Sequence, residues 1–448
     1  MLSRLKKLIP KPALQAYHWT MSQLAAAWYG WPSRRMIVIG VTGTNGKTTT
    51  ANLIARVLEG AGEKVGLTTT ANFRIAGKEE VNAMKMTMPG RFFLQKMLYK
   101  MAEAGCRYAV IETSSQGLDQ FRHLGIDYDV AVFTNLTPEH IESHGGFENY
   151  KRAKLKLFGH LMKHKRKSLQ WHGDVKKYII ANLESPYAAE FLDYQVDKKY
   201  GFLADGGDAP LASATWPIAI VKGMNVQLRP DGASFTLRDV KFDLKLPGRY
   251  NVLNALAAVS VGLSQGLNVD SMAKSLSIVG GVPGRFERIN EGQPFQVIVD
   301  YAPEPESLRQ LYTVIDAMPK KKLIHVLGSA GGGRDVARRP ILGTMSAKHA
   351  DVVIITNEDP YDEDPDVIID QVMSGAIQAG KSENSNLFRI PERRDAIVKA
   401  INMAEEGDIV LLTGKGAEQA IMGPNGSMTP WDERTVAREV LKLRYKQV

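Results

Sequence analysis

The sequence predicts an α/β protein with two doubly wound, mostly parallel sheets. Three observations carry this. Buried-strand patterns alternate with helical periodicity from residue 36 to about residue 190. A second alternation, with strands at 295–299, 323–327, 352–356 and 409–413, fits a C-terminal domain of Rossmann type. Between the two, residues 226–246 alternate apolar and polar around Arg229-Pro230-Asp231-Gly232, which suits small antiparallel strands. The expected division is an amphipathic segment over 1–35, a central domain over 36–281 and a C-terminal domain over 282–448, with Val282-Pro283-Gly284 as hinge. Length agrees, since 448 residues at roughly 150 per domain give about three units.

Composition narrows the class. At 44% apolar and 23% charged the chain is of globular type, which excludes a disordered tail, a collagen-like repeat and a small disulfide scaffold. The single cysteine, Cys106, excludes an intramolecular disulfide and a multi-cysteine zinc ribbon. A net charge of +9 suits a phosphate-rich substrate, nucleic acid or an anionic membrane without choosing among them. No uncharged apolar run reaches transmembrane length.

The first element is a helix. Arg4, Lys6, Lys7 and Lys11 precede a stretch, 12–33, without Asp, Glu, Lys or Arg, and Arg34 and Arg35 follow it. Within it Leu14, Tyr17, Met21, Leu24, Trp28 and Trp31 recur at spacings of three and four, one stripe of a helix. Two readings stand: an interfacial helix giving peripheral membrane contact through residues 1–35, or a helix docked on its own protein. Gln15, His18, Ser22 and Gln23 interrupt the apolar core, which argues against a spanning helix and a secretory signal.

Residues 36–41 (MIVIGV) read as a buried strand. Thr42-Gly43-Thr44-Asn45-Gly46-Lys47-Thr48-Thr49-Thr50 follows, then a helix through Leu53, Ile54, Val57 and Leu58 to Gly60. Strand, glycine loop, Lys-Thr and helix make a phosphate cradle. Small residues admit backbone N–H groups to the oxygens, the helix N-terminus favours the anion, Lys47 reaches the terminal phosphates and Thr48 ligates Mg²⁺. Val41 stands where the strict spacing has glycine, so the loop is a variant; ATP binding still follows from its context. Two further strands end in Glu112 and in Asn135, the latter running into Thr137-Pro138-Glu139-His140. Carboxyl ends of neighbouring parallel strands meet at the ligand crevice, which makes Glu112 and His140 candidate metal ligands. A lone strand-end carboxylate would otherwise read as a cap or a surface charge.

TGTNGKTTT, ETSSQGL, FTNLTPEHIESHG and NYKRAKLKLF, in this order, resemble the ATP-dependent Mur ligases of peptidoglycan synthesis, and most of all the branch that adds the third residue of the stem peptide. LPGRYNVLNALAA, VPGRFE, VDYAPEP, GGGRDVARRP, TNEDPYDEDP and TGKGAE extend the match over residues 36–448. The resemblance implies a cytoplasmic monomer, by the N-terminal helix at the inner face of the membrane, that uses ATP and Mg²⁺ to join an amino acid to a muramyl-peptide carboxylate through an acyl phosphate. It implies that Gly43, Thr44, Asn45, Gly46, Lys47, Thr48 and Thr49 hold the phosphates, with Glu112 on one magnesium and His140 on a second. Lys154 matches a lysine carried as a carbamate, which turns a cation into a carboxylate-like ligand; an unmodified ammonium beside two Mg²⁺ would be repelled. On spacing alone Lys154 is one charge among Lys151, Arg152 and Lys156 on a solvated helix face. Asn251, Asn254, Arg285 and Asp300 match nucleotide positions, and Thr87, Ser114, Gln120 and Arg122 match the grip on the acceptor. Arg334 matches the residue that binds the incoming carboxylate, while Glu358, Asp359, Gly414 and Glu418 surround the incoming side chain.

The chain departs from the family at four places. Gln116 replaces histidine in the SSHGL-like sequence, and Asp300-Tyr301-Ala302-Pro303-Glu304-Pro305 lacks a substrate-contacting histidine. The loop that reads Asp-Asn-Pro-Arg in enzymes for meso-diaminopimelate reads Glu358-Asp359-Pro360-Tyr361. Tyrosine cannot make arginine's bidentate grip on a second carboxylate, and the two acids suit a cation, so lysine or another diamine is expected. The alternative is that these acids and those over 362–366 cap the next helix. Lastly, 35 residues are too few for the family's uridine-nucleotide-binding domain, which suits an acceptor held through its muramyl peptide or tethered through a lipid. Rival functions are a folylpolyglutamate synthase-like ligase, a lipid II amidating subunit (opposed by the single cysteine) and a non-catalytic nucleotide-binding membrane scaffold, opposed by Lys47, Glu112, His140 and Lys154. Nucleic-acid binding has only the net charge behind it and is not expected.

Overall fold

The computed structural model describes residues 11–138, 144–208, 217–333 and 336–445. Two sheets dominate. The first has eleven strands: β1 (Ile37–Thr42), β2 (Val65–Thr68), β3 (Asn72–Ile75), β4 (Lys78–Val81), β5 (Tyr108–Glu112), β6 (Val130–Phe133), β7 (Tyr178–Asn182), β8 (Lys198–Ala204), β9 (Ile218–Arg229), β10 (Gly232–Leu237) and β11 (Val240–Leu244). They lie in the order β11-β10-β9-β8-β7-β6-β1-β5-β2-β3-β4. The seven from β9 to β2 pair in parallel, and an antiparallel pair extends each edge. Strands covered on both faces need continuous apolar runs, and β1, β5 and β6 are buried along their whole lengths.

Helices cover both faces. Against one lie α2 (Lys47–Gly60) and α6 (Arg249–Ser264), packing Leu53, Ile54 and Val57 with Leu256 and Val259. Against the other lie α3 (Arg91–Glu103) and α5 (Phe147–Lys163), burying Leu94, Leu98 and Met101 with Leu157, Phe158 and Leu161. Each such side chain contributes roughly 1.5–3 kcal/mol on burial, so α5 is held firmly enough to fix the residues it carries. A short helix α4 (Ser115–Asp119) follows β5 and is capped by Ser114, whose hydroxyl accepts from the Gly117 amide.

The antiparallel region is where the sequence places it, over 226–246. β9 is twelve residues long, pairs in parallel with β8 over its first half and turns antiparallel to β10 across an irregularity between Met224 and Gln227. The small strands therefore extend the main sheet.

The second sheet holds β12 (Glu287–Ile289), β13 (Gln296–Asp300), β14 (Leu323–Leu327), β15 (Val352–Ile355), β16 (Leu387–Arg389) and β17 (Ile409–Thr413), in the order β12-β13-β17-β14-β15-β16. All neighbours are parallel except β12. The edge strands β12 and β16 have three residues each, too few to set up a readable alternation. Helix α7 (Pro305–Asp316) follows β13, and α8 (Arg338–His349) and α9 (Pro365–Gln378) pack against each other beside it.

The N-terminal helix α1 (Lys11–Trp28) docks on α3, but not through the predicted stripe alone. Ser22, Ala25 and Ala26 are buried, and the Ser22 hydroxyl donates to the carbonyls of Phe121 (2.7 Å) and His18 (2.8 Å). Half of the stripe faces outward: Tyr17 is 55% exposed, Leu24 53% and Trp28 78%, whereas Leu14, Met21 and Trp31 are half-buried. Small side chains permit close approach on one face. Among the described residues no helix is long and apolar enough to cross a membrane.

Candidate active site

Register decides what meets at the carboxyl end of the first sheet. Val41 of β1 lies beside Glu112 of β5, and Thr42 beside Phe133 of β6. The loop after β1, Glu112 and the segment after β6 therefore converge. Gly43 and Gly46 make the loop's path possible. A Cβ at Gly43 would strike the Thr134 hydroxyl, and Gly46, at φ +80°, would strike the Asn254 amide oxygen. Asn135 shapes the loop from the next strand, accepting from the Asn45 amide at 2.9 Å and donating to the Asn45 carbonyl at 3.0 Å. Thr44 stays close to Tyr150 (hydroxyls 3.1 Å apart), and the Lys47 ammonium donates to the Thr44 carbonyl at 2.6 Å. Thr48 and Thr49 are buried in the first turn of α2.

Glu112 is buried and held by neutral donors: the Thr48 hydroxyl at 2.9 Å, the Thr70 amide at 2.7 Å and the Thr70 hydroxyl at 3.1 Å. Among the described residues it makes no ion pair. A buried carboxylate without a cationic partner, touching a phosphate-loop threonine, suits a divalent cation that shares its remaining ligands with phosphate oxygens and water. No cluster of three or more His, Cys, Asp and Glu side chains stands ready for a metal among the described residues. His140, expected on a second magnesium, lies outside them, as does Arg334.

Lys154 is not a solvated charge. It is buried on α5, its ammonium donating to the Gly43 carbonyl at 2.6 Å and lying 4.2 Å from the centre of the Tyr150 ring. Tyr150, Leu157 and Phe158 of the same helix are buried with it, and the Gly43 contact places this nitrogen against the phosphate loop.

Behind the loop, the Thr50 hydroxyl donates to Asn254 at 3.1 Å and Asn254 to Asn251 at 3.1 Å. Arg285 lies over the Tyr301 ring at 4.4 Å, while Asp300 accepts from the amides of Phe286 (2.6 Å) and Ala302 (2.9 Å). Burial pushes the Asp300 carboxyl above its ordinary range against the pull of Arg285. Beside Glu112, Thr87 contacts the Thr70 hydroxyl at 2.8 Å, and further along Arg122 donates to Gln120 at 2.6 Å. One cavity of about 1160 Å³ is lined by Lys47, Glu112, Lys154, Thr87, Ser114 and Arg122 and continues to Arg285 and Asp300. Gln120, Gly43 and Gly414 do not line it; Gln120 acts through Arg122, and Gly414 gives Glu358 room.

The cavity reaches a second charged cluster. Lys415 donates to Asp359 at 2.9 Å and to Glu418 at 2.7 Å. Lys85, from the segment between β4 and α3, donates to both Asp359 oxygens at 2.8 Å. Burial opposes charge on Asp359, yet Lys415 and Lys85 hold its carboxyl below the usual range. Glu358 differs from its neighbour: fully buried, its carboxyl is pushed up by burial. Neither acid caps the next helix; Asp364 does, accepting from the Asp366 amide at 2.9 Å. Lys85 and Thr70 carried no signal as site residues, because each acts through a partner distant in the chain; Asn135 and Lys415 stand in the FTNLTPEHIESHG and TGKGAE segments.

A last contact ties the halves together. Asn45 donates to Glu304 at 2.7 Å, and Glu304 also caps α7 by accepting from the Ser307 amide at 3.0 Å. Glu304 stands in the segment where the family motif has its histidine, so a change of motif here coincides with a contact between phosphate loop and second sheet.

Residues 41–262 match the Mur ligase middle domain and residues 284–416 the Mur ligase glutamate ligase domain. A UDP-N-acetylmuramyl-tripeptide synthetase of Roseiflexus sp. (strain RS-1) is 38% identical over 441 residues, covering 97% of this chain and 84% of its own. The chain belongs to the Mur ligase family. It is thereby an ATP-dependent acid–amino-acid ligase. A UDP-N-acetylmuramoyl-L-alanyl-D-glutamate–2,6-diaminopimelate ligase of Geobacillus thermodenitrificans (strain NG80-2) is 36% identical over 437 residues, 95% of this chain and 82% of the relative. The fold extends further: a Mycobacterium tuberculosis folylpolyglutamate synthase complexed with ADP and AMPPCP superposes with a TM-score of 0.64 at 17% identity, over 95% of this chain and 94% of that one. Fold alone therefore does not separate a muramyl from a folate acceptor.

Proposed function

We propose that this Mur ligase joins an amino acid with a cationic side chain, lysine or another diamine, to the peptide carboxylate of a muramyl-dipeptide acceptor. The observation that carries the reading is the acidic pair Asp359 and Glu418 in the cavity that also holds Lys47, Glu112 and Lys154. An acceptor carboxylate oxygen attacks the γ-phosphorus of ATP and ADP leaves. The neutral amine of the incoming amino acid then attacks the acyl carbon, the C–O bond to phosphate breaks, and the amine's proton is released with formation of the amide. Lys47 and the loop amides orient and neutralise the transferred phosphoryl group. Thr48 and Glu112 would hold Mg²⁺, which adds neutralisation of phosphate oxygens. Thr87, Ser114 and Arg122 would position the acceptor, Asn251, Asn254, Arg285 and Asp300 the nucleotide, and His140 and Arg334 keep their family-matched roles. Lys154 works as its carbamate, formed by CO₂ on the neutral amine with loss of a proton. The two units of the reading are 36–281 for ATP and acceptor and 282–448 for the amino acid.

The test is a screen of amino acids against UDP-muramyl-dipeptide with ADP release and product mass as readouts. Preferred turnover of lysine or another diamine supports the reading; preference for diaminopimelate overturns the side-chain assignment.

A second proposal concerns the first 35 residues. The outward Tyr17, Leu24 and Trp28, followed by Arg34 and Arg35, fit the headgroup region of an anionic bilayer at the cytoplasmic face. Replacing Leu24 and Trp28 by serine should abolish cosedimentation with phosphatidylglycerol vesicles; retained binding ends the proposal.

A further inference from the structure

Lys85 belongs to none of the roles above. It crosses from the first sheet's side of the cleft to the second, and its side chain is 6% exposed, against Asp359 at 2.8 Å and Glu418 at 3.3 Å. The same two acids are already held from their own side by Lys415. Two carboxylates and two ammonium groups balance. Without Lys85, Asp359, Glu418 and Lys415 would keep one uncompensated negative charge in a site shielded from water, which is strongly unfavourable. The cluster thus takes one cation besides Lys415.

That vacancy has the chemistry of a diamino acid's side chain, an ammonium on a methylene stem. We propose that Lys85 is a built-in occupant of the incoming side-chain site, which the substrate's ammonium must displace, so that it tunes affinity for diamines and latches the cleft while no amino acid is bound. The inference rests on the reading that Asp359 and Glu418 face the substrate's cation. The local backbone agrees: Lys85 has φ +50° and Tyr361, on the facing loop, φ +54°, a region costly for non-glycine residues and typical of segments held for function. Burial pushes the Lys85 amine down and Lys415 adds to this, against the pull of Glu418 and Asp359. Met84 and Met86 beside it line the cavity and are adaptable enough to let the segment shift.

The experiment compares wild type with Lys85→Met and Lys85→Arg, using ATP, UDP-muramyl-dipeptide and lysine. The expected result is a KM for lysine about tenfold lower in Lys85→Met, and higher than wild type in Lys85→Arg. Lysine alone should also raise the Tm of Lys85→Met more than that of wild type, which reads binding without turnover. A KM unchanged or raised in Lys85→Met overturns the proposal, and a smaller Tm shift by lysine does so too. Wild-type turnover with norleucine but not lysine would overturn the diamine reading together with this one, whereas lysine turnover with an unresponsive Lys85→Met overturns this one alone.

Discussion

Glu112 and Lys154 owe their chemistry to burial. Each is a chargeable group removed from water and placed against the phosphate loop, one through Thr48 and one through the Gly43 carbonyl. Replacing Glu112 by Gln keeps the shape and removes the charge, so kcat for ADP release should fall by about 10²-fold with the fold intact, as circular dichroism would check. Activity in bicarbonate-depleted buffer should drop and return on adding bicarbonate if Lys154 acts as a carbamate; indifference to bicarbonate contradicts that. Gly46→Ala should weaken ATP binding by at least about tenfold, measured by calorimetry, because the new Cβ meets Asn254 and φ +80° disfavours it. The phosphate loop was legible in the sequence because its parts are neighbours in the chain. The Lys85–Asp359 pair was not, since its partners are 274 residues apart.

Helix α5 shows how an element serves chemistry at one point and stability at another. It carries Lys154 on the loop side and, further along, His160, whose ring donates to the Ile126 carbonyl at 2.9 Å and stacks edge-on with His123 and His164. Burial, reinforced by His164, pushes the His160 imidazole down to about 4. An unfolded histidine titrates near 6.5, so between about pH 6.5 and 4 the unfolded chain binds more protons. The contribution is complete above pH 6.5 and is lost as pH falls through that window, on the order of 3 kcal/mol. His160→Gln should therefore flatten the fall of Tm between pH 7 and 4.5 relative to wild type. Periodicity located α1 and the strands β1, β5, β6, β13, β14, β15 and β17, but not the short edge strands, and it did not say which face of α1 docks. That was decided by Ser22, Ala25 and Ala26, which are buried, Ser22 and Ala26 closely against residues 121–125.

At the scale of the molecule, two sheets present their carboxyl-end loops to one cavity, and named side chains join them: Asn45 to Glu304 and Lys85 to Asp359. Losing the first link by Asn45→Ala should raise KM for the amino acid about five- to tenfold and enlarge the radius of gyration in X-ray scattering, since alignment across the cleft is what makes the second step intramolecular. The motifs identified the ligase family and its nucleotide chemistry, whereas the charge balance around Asp359 required the two halves to be seen together. The most direct test of the central claim measures ADP release and product mass with UDP-muramyl-dipeptide and a panel containing lysine, ornithine, norleucine and meso-diaminopimelate. Amide product is expected with lysine or ornithine preferred over norleucine and meso-diaminopimelate. Absence of any acceptor-dependent ADP release, or preference for meso-diaminopimelate, would contradict it.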